Sequence, residues 1–309
     1  MSQIIQNIRV NTNPNISTDF EILKVSLEST KVRLKRIDLS GNPTSYTINI
    51  NRDSSSNHIT PGFLRKDYQY HYLETLDNGQ SYLRRTFWNG VVDTDYNVLV
   101  SVTHHDPDLD ITSTDVSNTV IIPITSDPSN NIIDYFALAG EVDFVNLVYG
   151  FVQIYSLTGS LLSTKISETT KYRRGTYHPP TGYLYLSGIS LDSLYFGLES
   201  YQIIYGHTDT SNNLNSHFQI ERDLSKNVLP QPPTAEISSY ILSDPDELLL
   251  VSDITNNMNL FVAGRGYNSE SNSESKYIPW LYIITISNTI DSTTTIPSCL
   301  LYTSPSPRD

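Results

Sequence analysis

Tyr183-Leu-Tyr-Leu-Ser-Gly188 decides the fold, because a similar phrase recurs as Leu260-Phe-Val-Ala-Gly264 with a similar sequel. Each phrase is a strand-sized apolar run that ends at a glycine. A polar insert and a second apolar run follow, at residues 201 to 205 after the first phrase and at 280 to 286 after the second. This repetition predicts a chain built from antiparallel β-hairpins.

Strand-sized runs bounded by turn residues continue along most of the chain. Asp77-Asn-Gly79 and Thr158-Gly159 supply turn chemistry between neighbouring runs, since glycine accepts a positive φ. Helical spacing is almost absent, so the sequence predicts an all-β protein. The other predicted strands span residues 20 to 25, 31 to 37, 45 to 49, 68 to 72, 81 to 87, 97 to 102, 119 to 124, 132 to 138, 144 to 149, 152 to 157, 161 to 166 and 217 to 221.

The strand-and-turn phrases at residues 31 to 42, 152 to 163, 183 to 188 and 260 to 264 resemble the repeats of bacterial seven-bladed β-propeller proteins. Hairpins also recur at intervals of roughly 35 to 50 residues, the length of one propeller blade. The chain has 14 glycines without a Gly-Gly pair, and it has no Trp-Asp pair, which disfavours the kelch and WD repeat types. The resemblance implies a β-propeller-like array of antiparallel hairpins. A multi-sheet β-sandwich is the alternative fold.

Three segments of the chain differ in character. Residues 1 to 18 lack sustained periodicity, so we expect a flexible N-terminal arm. Residues 19 to 298 form the predicted all-β repeat domain, with a junction between lobes or blades near Pro230-Gln-Pro-Pro233. Residues 299 to 309 resemble a translated sequencing adapter of the kind that contaminates metagenomic assemblies, so they fall outside the predicted fold. We therefore expect the domain to be truncated at its C-terminus.

The chain is acidic, with 20 Lys and Arg against 33 Asp and Glu and a formal net charge of -13. This balance argues against a nucleic-acid partner, because phosphate contacts need clustered basic residues. No apolar run approaches the roughly 18 to 20 residues that cross a bilayer, and residues 1 to 12 lack the pattern of a secretory signal. A soluble protein is predicted, and location on a virion or a cell surface is compatible with it. The only cysteine, Cys299, lies in the tail, so the domain itself is predicted to be cysteine-free.

Basic residues nevertheless form three small clusters. They are Lys31, Arg33 and Lys35 on one strand face, the pair Arg84-Arg85, and the run Lys171-Tyr-Arg-Arg174. We interpret them as solvated strand faces or as strand edges blunted by charge.

A candidate calcium loop lies at Asp106, Asp108 and Asp110. Alternate carboxylates in a loop can converge as the hard oxygen ligands that Ca²⁺ prefers. The loop lacks the glycine and the distal glutamate of familiar calcium loops, and a related Asp244-Pro-Asp246 precedes a predicted strand as a simple turn. Turn formation is therefore the alternative explanation. No other cofactor is predicted.

Two rows of tyrosines are candidate ligand-binding residues. Strand alternation places Tyr68, Tyr70 and Tyr72 on one face, and it places Tyr183 and Tyr185 on another. Such rows can stack on sugars or form an adaptable binding surface. Ordinary cross-strand packing is the alternative.

No catalytic motif is present in the sequence. It lacks a Gly-x-Ser-x-Gly nucleophile elbow, a Walker loop and a His-Glu-x-x-His zinc motif, so no catalytic residue is assigned. The first hypothesis is a non-enzymatic interaction protein that binds a glycan or a protein partner through polar, tyrosine-rich loops of a propeller. The alternatives are a hydrolase or lyase with acidic residues in a central funnel, and a structural β protein of a phage or viral particle.

The calcium hypothesis predicts a change in thermal stability. If Asp106, Asp108 and Asp110 converge on one ion, Ca²⁺ binds only the folded state and raises the melting temperature. Scanning calorimetry with Ca²⁺ and with chelator measures this, and Asp108→Asn should abolish the shift. A melting temperature that neither reagent changes would leave turn formation as the explanation.

Overall fold

The structure is a computed structural model. It describes residues 5–10, 22–27, 31–37, 43–51, 55–65, 69–87, 90–105, 110–125, 133–145, 147–178, 182–191, 196–205, 218–222, 240–252, 258–268 and 277–286. The regular structure in these ranges is β-strand, which confirms the all-β prediction. Within them, no helix has the length and apolarity needed to cross a membrane. Tyr68, Asp106, Asp108, the predicted junction at residues 230 to 233 and the tail at 299 to 309 lie outside the described residues.

The described strands form five sheets and one separate hairpin. The first sheet contains β1 (Ile5–Val10), β2 (Ile22–Leu27), β3 (Lys31–Ile37) and β4 (Pro43–Asn51). The second contains β5 (Ser56–Leu64), β6 (Tyr70–Leu76), β7 (Ser81–Thr86) and β8 (Val92–Leu99). The hairpin consists of β9 (Val102–His105) and β10 (Asp110–Ser113).

Three more sheets follow along the chain. The third contains β11 (Val116–Thr125), β12 (Ile133–Phe144), β13 (Leu147–Ser156) and β14 (Leu161–Ser167). The fourth contains β15 (Thr170–His178), β16 (Tyr183–Ser190), β17 (Phe196–Tyr205) and β18 (Phe218–Arg222). The fifth contains β19 (Tyr240–Ser252), β20 (Met258–Asn268) and β21 (Tyr277–Ile286).

Each sheet is a meander. Its strands pair in chain order and every neighbouring pair is antiparallel, as in the third sheet, where β12 pairs with β11 and β13. The β12–β13 turn is minimal, since Phe144 pairs with Leu147 across only two residues. The predicted hairpin repeat is therefore confirmed, and its unit is a sheet of up to four strands.

The second, third and fourth sheets pack face to face. One core cluster joins the second and third sheets and includes Phe63 and Phe136, and another joins the third and fourth sheets and includes Ile154 and Leu186. Burying each such side chain contributes about 1.5–3 kcal/mol. Because the third sheet is covered on both faces, its central strand β12 contains a continuous buried apolar run at residues 136 to 139 rather than an alternating pattern.

The first strands of successive sheets also contact one another. β5 contacts β11, β11 contacts β15, and β15 contacts β19. Meander sheets that stack through their faces and approach each other along their first strands are arranged as consecutive blades are in a propeller. The fold is therefore propeller-like.

The structure shows strands at residues 5 to 10 and 244 to 246, where the sequence suggested an arm and a turn. Residues 5 to 10 belong to the predicted arm, but the structure places them in β1, because they pair antiparallel with β2 and complete the first sheet. Asp244-Pro-Asp246 was expected to form a turn before a strand. It lies inside β19 instead, where the register against β20 shifts twice. Pro245 pairs with Gly264 between the two shifts, and proline is tolerated at such a position because the ladder of hydrogen bonds is already interrupted on either side of it.

The β12–β13 turn contains a strained residue. Val145 has a φ of 49° and its side chain is 80% exposed, so it gains little from packing while its branched Cβ opposes the left-handed conformation. That conformation costs an ordinary residue about 1–2 kcal/mol, and asparagine tolerates it far better. An asparagine at position 145 should therefore relieve the backbone strain.

We expect Val145→Asn to stabilise the protein by about 1 kcal/mol, because the strain is relieved without loss of core contacts. Thermal and chemical denaturation measure the change. Val91→Asn is the matched control, since Val91 is 56% exposed but has no positive φ. A Val145→Asn variant no more stable than this control would show that the turn is unstrained.

Candidate functional site

Each first strand from the second sheet to the fifth contains a β-bulge where it pairs with its second strand. The register shifts fall at residues 61 to 62 in β5, 118 to 119 in β11, 173 in β15 and 244 to 246 in β19. A bulge bends its strand and redirects side chains, and bulges are frequent beside functional sites. These four strands contact one another in order.

Two glycines make room for these bulges. A Cβ on Gly62 would lie 1.9 Å from the carbonyl oxygen of His71, its neighbour across the β5 bulge. A Cβ on Gly140, opposite the β11 bulge, would lie 2.8 Å from the carbonyl oxygen of Ser117. Any other residue would push the strands apart at these positions.

The bulges of β11 and β15 meet at a shared carboxylate. Asn118 has a φ of 49°, and its Nδ2 donates to Oε2 of Glu141 at 3.0 Å. Nε of Arg173 donates to Oε1 of the same carboxylate at 3.1 Å. Only 9% of the Glu141 side chain is exposed, so these charge-assisted hydrogen bonds fix it firmly.

The bulge of β11 also contacts strand β5. Oγ1 of Thr119 lies 2.8 Å from Oγ1 of Thr60, which directly precedes the β5 bulge. We call Thr60, Asn118, Thr119, Glu141 and Arg173 the bulge cluster. Asn118 is exposed and the Arg173 side chain is 28% exposed, so the cluster reaches solvent through an amide and a guanidinium.

Strand β15 also binds a second buried carboxylate, that of Glu199. In a regular strand, consecutive side chains point to opposite faces, but the shift at Arg173 lets Tyr172 and Arg173 both face the third sheet. Arg173 binds Glu141, whereas the hydroxyl of Tyr172 donates to Glu199 at 2.5 Å. Strand β15 therefore binds both buried carboxylates, Glu141 through Arg173 and Glu199 through Tyr172.

Glu199 is 2% exposed and accepts hydrogen bonds from four hydroxyl groups. Ser167 donates to Oε1 at 3.0 Å together with Thr169, and Tyr201 donates to Oε2 at 2.6 Å together with Tyr172. Burial, followed by the nearby Tyr201 and Glu199, raises the pKa of Tyr172 well above its usual value, so its hydroxyl stays a donor. This network locks the start of β15 to β17.

The predicted tyrosine rows lie mainly in the core. Tyr70 and Tyr72 share a face and stack at 5.9 Å, and both are almost fully buried. Tyr183 and Tyr185 share the other predicted face with their ring centroids 6.3 Å apart; Tyr185 is buried and Tyr183 is partly exposed. Such burial favours the packing interpretation for the three buried rings.

The candidate calcium loop is described only at its C-terminal end. Asp110 is exposed, and its Oδ1 lies 3.0 Å from Nδ1 of His105, which is also exposed. His104 lies on the opposite strand face against Phe144 and Tyr149. Among the described residues, no group of three or more His, Cys, Asp or Glu side chains could hold a metal ion. Calcium binding through Asp106, Asp108 and Asp110 stays a prediction.

Two of the basic clusters are paired with acids instead of being simply solvated. Arg84 pairs with Glu74 at 3.2 Å, and Arg85 forms an ion pair with Asp93 while lying 4.7 Å from the ring centre of Tyr96. The hydrogen bond from Arg85 lowers the pKa of Asp93. Arg173 pairs with Glu141 in the same way. These acidic partners lie on neighbouring strands or sheets and not next to the arginines in the sequence. The ion pairs could therefore not be predicted from the sequence.

Sequence reasoning named Arg173 only as part of a basic run and did not predict the bulge cluster. Asn118 and Glu141 are 23 residues apart, and Glu141 and Arg173 are 32 residues apart. A usable signal was the polar pair Asn118-Thr119 just before an apolar run, together with Gly140 in the next strand. Both depart from the alternation of a regular strand.

Comparisons with known proteins show distant structural likeness. No protein-family model and no curated protein matches the chain. An α-L-arabinofuranosidase from Fusarium graminearum, solved with an iminosugar inhibitor, is 10% identical with a TM-score of 0.41; the likeness covers 76% of this chain and 63% of the enzyme. A nidogen/laminin complex is 12% identical with a TM-score of 0.39, covering 91% of this chain and 96% of the other. Scores of this size establish neither family nor function.

The hydrogen-bond network around Glu199 predicts that replacing its carboxylate by an amide lowers the stability of the protein. We expect Glu199→Gln to destabilise the protein by about 2 kcal/mol or more, because an amide N–H₂ would face hydroxyl donors in a buried site. Urea denaturation measures the loss. Glu168→Gln is the matched control, since 74% of the Glu168 side chain is exposed. Equal stability of the two variants would contradict the network.

Proposed function

We propose that this protein is a non-enzymatic binding protein that holds a carbohydrate at the bulge cluster. The observation that carries the proposal is the fixed trio of Asn118, Glu141 and Arg173 at the approach of two first strands. Sugar hydroxyls donate and accept hydrogen bonds together, so planar side chains of both kinds in rigid positions suit them. A trio held by its own hydrogen bonds loses little further entropy when a ligand binds.

The position of the cluster supports the same proposal. Loops and irregular backbone positioned by a rigid scaffold are where binding residues concentrate. Here the scaffold is the pair of buried clusters on either side of the third sheet, which fix β11 and β15. The exposed Ser117 and Asn118 extend the polar surface beyond the carboxylate. A polar protein segment is the other partner that this surface suits.

The enzymatic alternative has less support. A glycosidase needs two carboxylates that can reach one substrate bond. Glu199 is enclosed by four hydroxyl donors, and Glu141 is bound by Arg173 and Asn118, so both carboxylates are already engaged by the protein. A viral structural role would use the same fold without a ligand, and the experiment below distinguishes it.

We expect the wild-type protein to bind a subset of glycans on a broad array, and Asn118→Gly to weaken that binding at least about tenfold, or about 1.4 kcal/mol. Glycine retains the positive φ at this position while removing the amide. Asn78→Gly, in the exposed turn between β6 and β7, is the matched control, since Asn78 is not part of the cluster. Titration calorimetry with the best glycan measures the affinities.

Three results would count against the proposal. Absence of binding across the array would remove the carbohydrate function. Equal affinity of wild type and Asn118→Gly would place the ligand elsewhere. Release of new reducing ends during incubation would support the hydrolase alternative.

A further inference from the structure

His71 is a buried imidazole at the contact between the second and third sheets. It lies in β6 with 2% of its surface exposed. Its ring stacks on Phe63 of β5 at 4.9 Å with an interplanar angle of 6°, meets Tyr96 of β8 edge-on at 5.3 Å, and lies 5.9 Å from Phe136 of β12. Two other strands of its own sheet and one strand of the next therefore supply its aromatic neighbours.

The surroundings of His71 suit only an uncharged ring. Neither ring nitrogen has a hydrogen-bond partner among the described residues. Arg85 of β7 and Arg65, just after β5, are the nearby cations, and Asp93 of β8 is the nearby anion but is paired with Arg85. A proton on His71 would thus be a buried charge that lacks a hydrogen-bonded partner and is repelled by two arginines.

The same histidine is coupled to the strand that contacts the third sheet. His71 pairs with Phe63 directly beside the β5 bulge, and its carbonyl oxygen packs against Gly62. A Cβ on Gly62 would also approach Ile121 of β11, so this bulge touches the third sheet. Displacing the imidazole therefore disturbs the contact between the two sheets.

We propose that His71 makes the interface between the second and third sheets acid-sensitive, so that its protonation opens this interface before the interface between the third and fourth sheets. The inference goes beyond carbohydrate binding and does not depend on it. The second interface, lined by residues such as Leu184 and Tyr201, has no histidine in its buried cluster as described.

Burial, followed by the charges of Arg85 and Arg65, lowers the pKa of His71 to about 3. An exposed histidine has a pKa near 6.5. The open form therefore binds a proton below about pH 6.5 while the closed form does not, so closure is fully favoured above that pH and is lost progressively as the pH falls toward 3. At pH 4.5 the opening equilibrium should rise by up to about 100-fold relative to neutral pH.

Hydrogen exchange of the full chain at pH 7 and pH 4.5, corrected for intrinsic exchange rates, tests the proposal. We expect protection in β5, β6 and β12 to fall at least about tenfold at pH 4.5, while protection in β16 changes much less. His71→Phe keeps an aromatic ring but cannot be protonated, so it should retain protection at pH 4.5. His105→Gln, at an exposed histidine, should behave as wild type.

The acids of the same sheet, Asp93 and Glu74, are present in all three proteins, so the comparison isolates His71. Equal loss of protection in wild type and His71→Phe would overturn the proposal. If His71→Phe does not fold, the wild-type His71 Cε1–H resonance decides: titration near pH 6.5 without loss of protection would overturn it, and titration only together with opening would support it.

Discussion

The close approach of first strands from neighbouring sheets is the constraint on which the described structure depends. β5, β11, β15 and β19 contact one another in order, and each contains a bulge where it pairs with its second strand. The bulges direct polar side chains such as Asn118 and Arg173 to a shared carboxylate, while the regular parts of the same strands supply apolar residues to the core. The same first strands therefore supply both the apolar core and the polar residues of the candidate site.

The distribution of polar groups follows from this arrangement. The buried carboxylates of the described residues, Glu74, Asp93, Glu141 and Glu199, each bind an arginine or several hydroxyls. A buried carboxylate without partners would cost several kcal/mol, roughly the margin of stability of a domain. Unlike these carboxylates, His71 has aromatic neighbours but no hydrogen-bond partner for either ring nitrogen among the described residues. Its neutrality is therefore a condition for closing the second sheet on the third.

The sequence predicted the all-β class and the hairpin repeat because both depend on local patterns. Tyr183 to Gly188 has the composition of a strand with a terminal glycine, and it lies within β16. The bulges were not predictable, since a single strand does not reveal how many residues its partner uses over the same length. Asp244-Pro-Asp246 shows the difficulty: the residues of a turn occur here inside a bulged strand. Tyr70 and Tyr72 stack on each other, and the rings of Tyr183 and Tyr185 are neighbours, but a period of two in the sequence does not distinguish a buried face from an exposed one.

The contact between first strands can be tested most directly with an engineered disulfide between Thr60 and Thr119, whose Oγ1 atoms lie 2.8 Å apart. In a Cys299→Ser background, Thr60→Cys with Thr119→Cys should form a bond under mild oxidation and keep the β-sheet circular dichroism spectrum. The control pair, Thr60→Cys with Thr164→Cys, places the second thiol on β14, three strands out in the third sheet, or about 14 Å at the usual strand spacing. Oxidation in the first pair and not in the control is the predicted result. Failure of the first pair to oxidise in the folded protein would contradict the approach of β5 to β11.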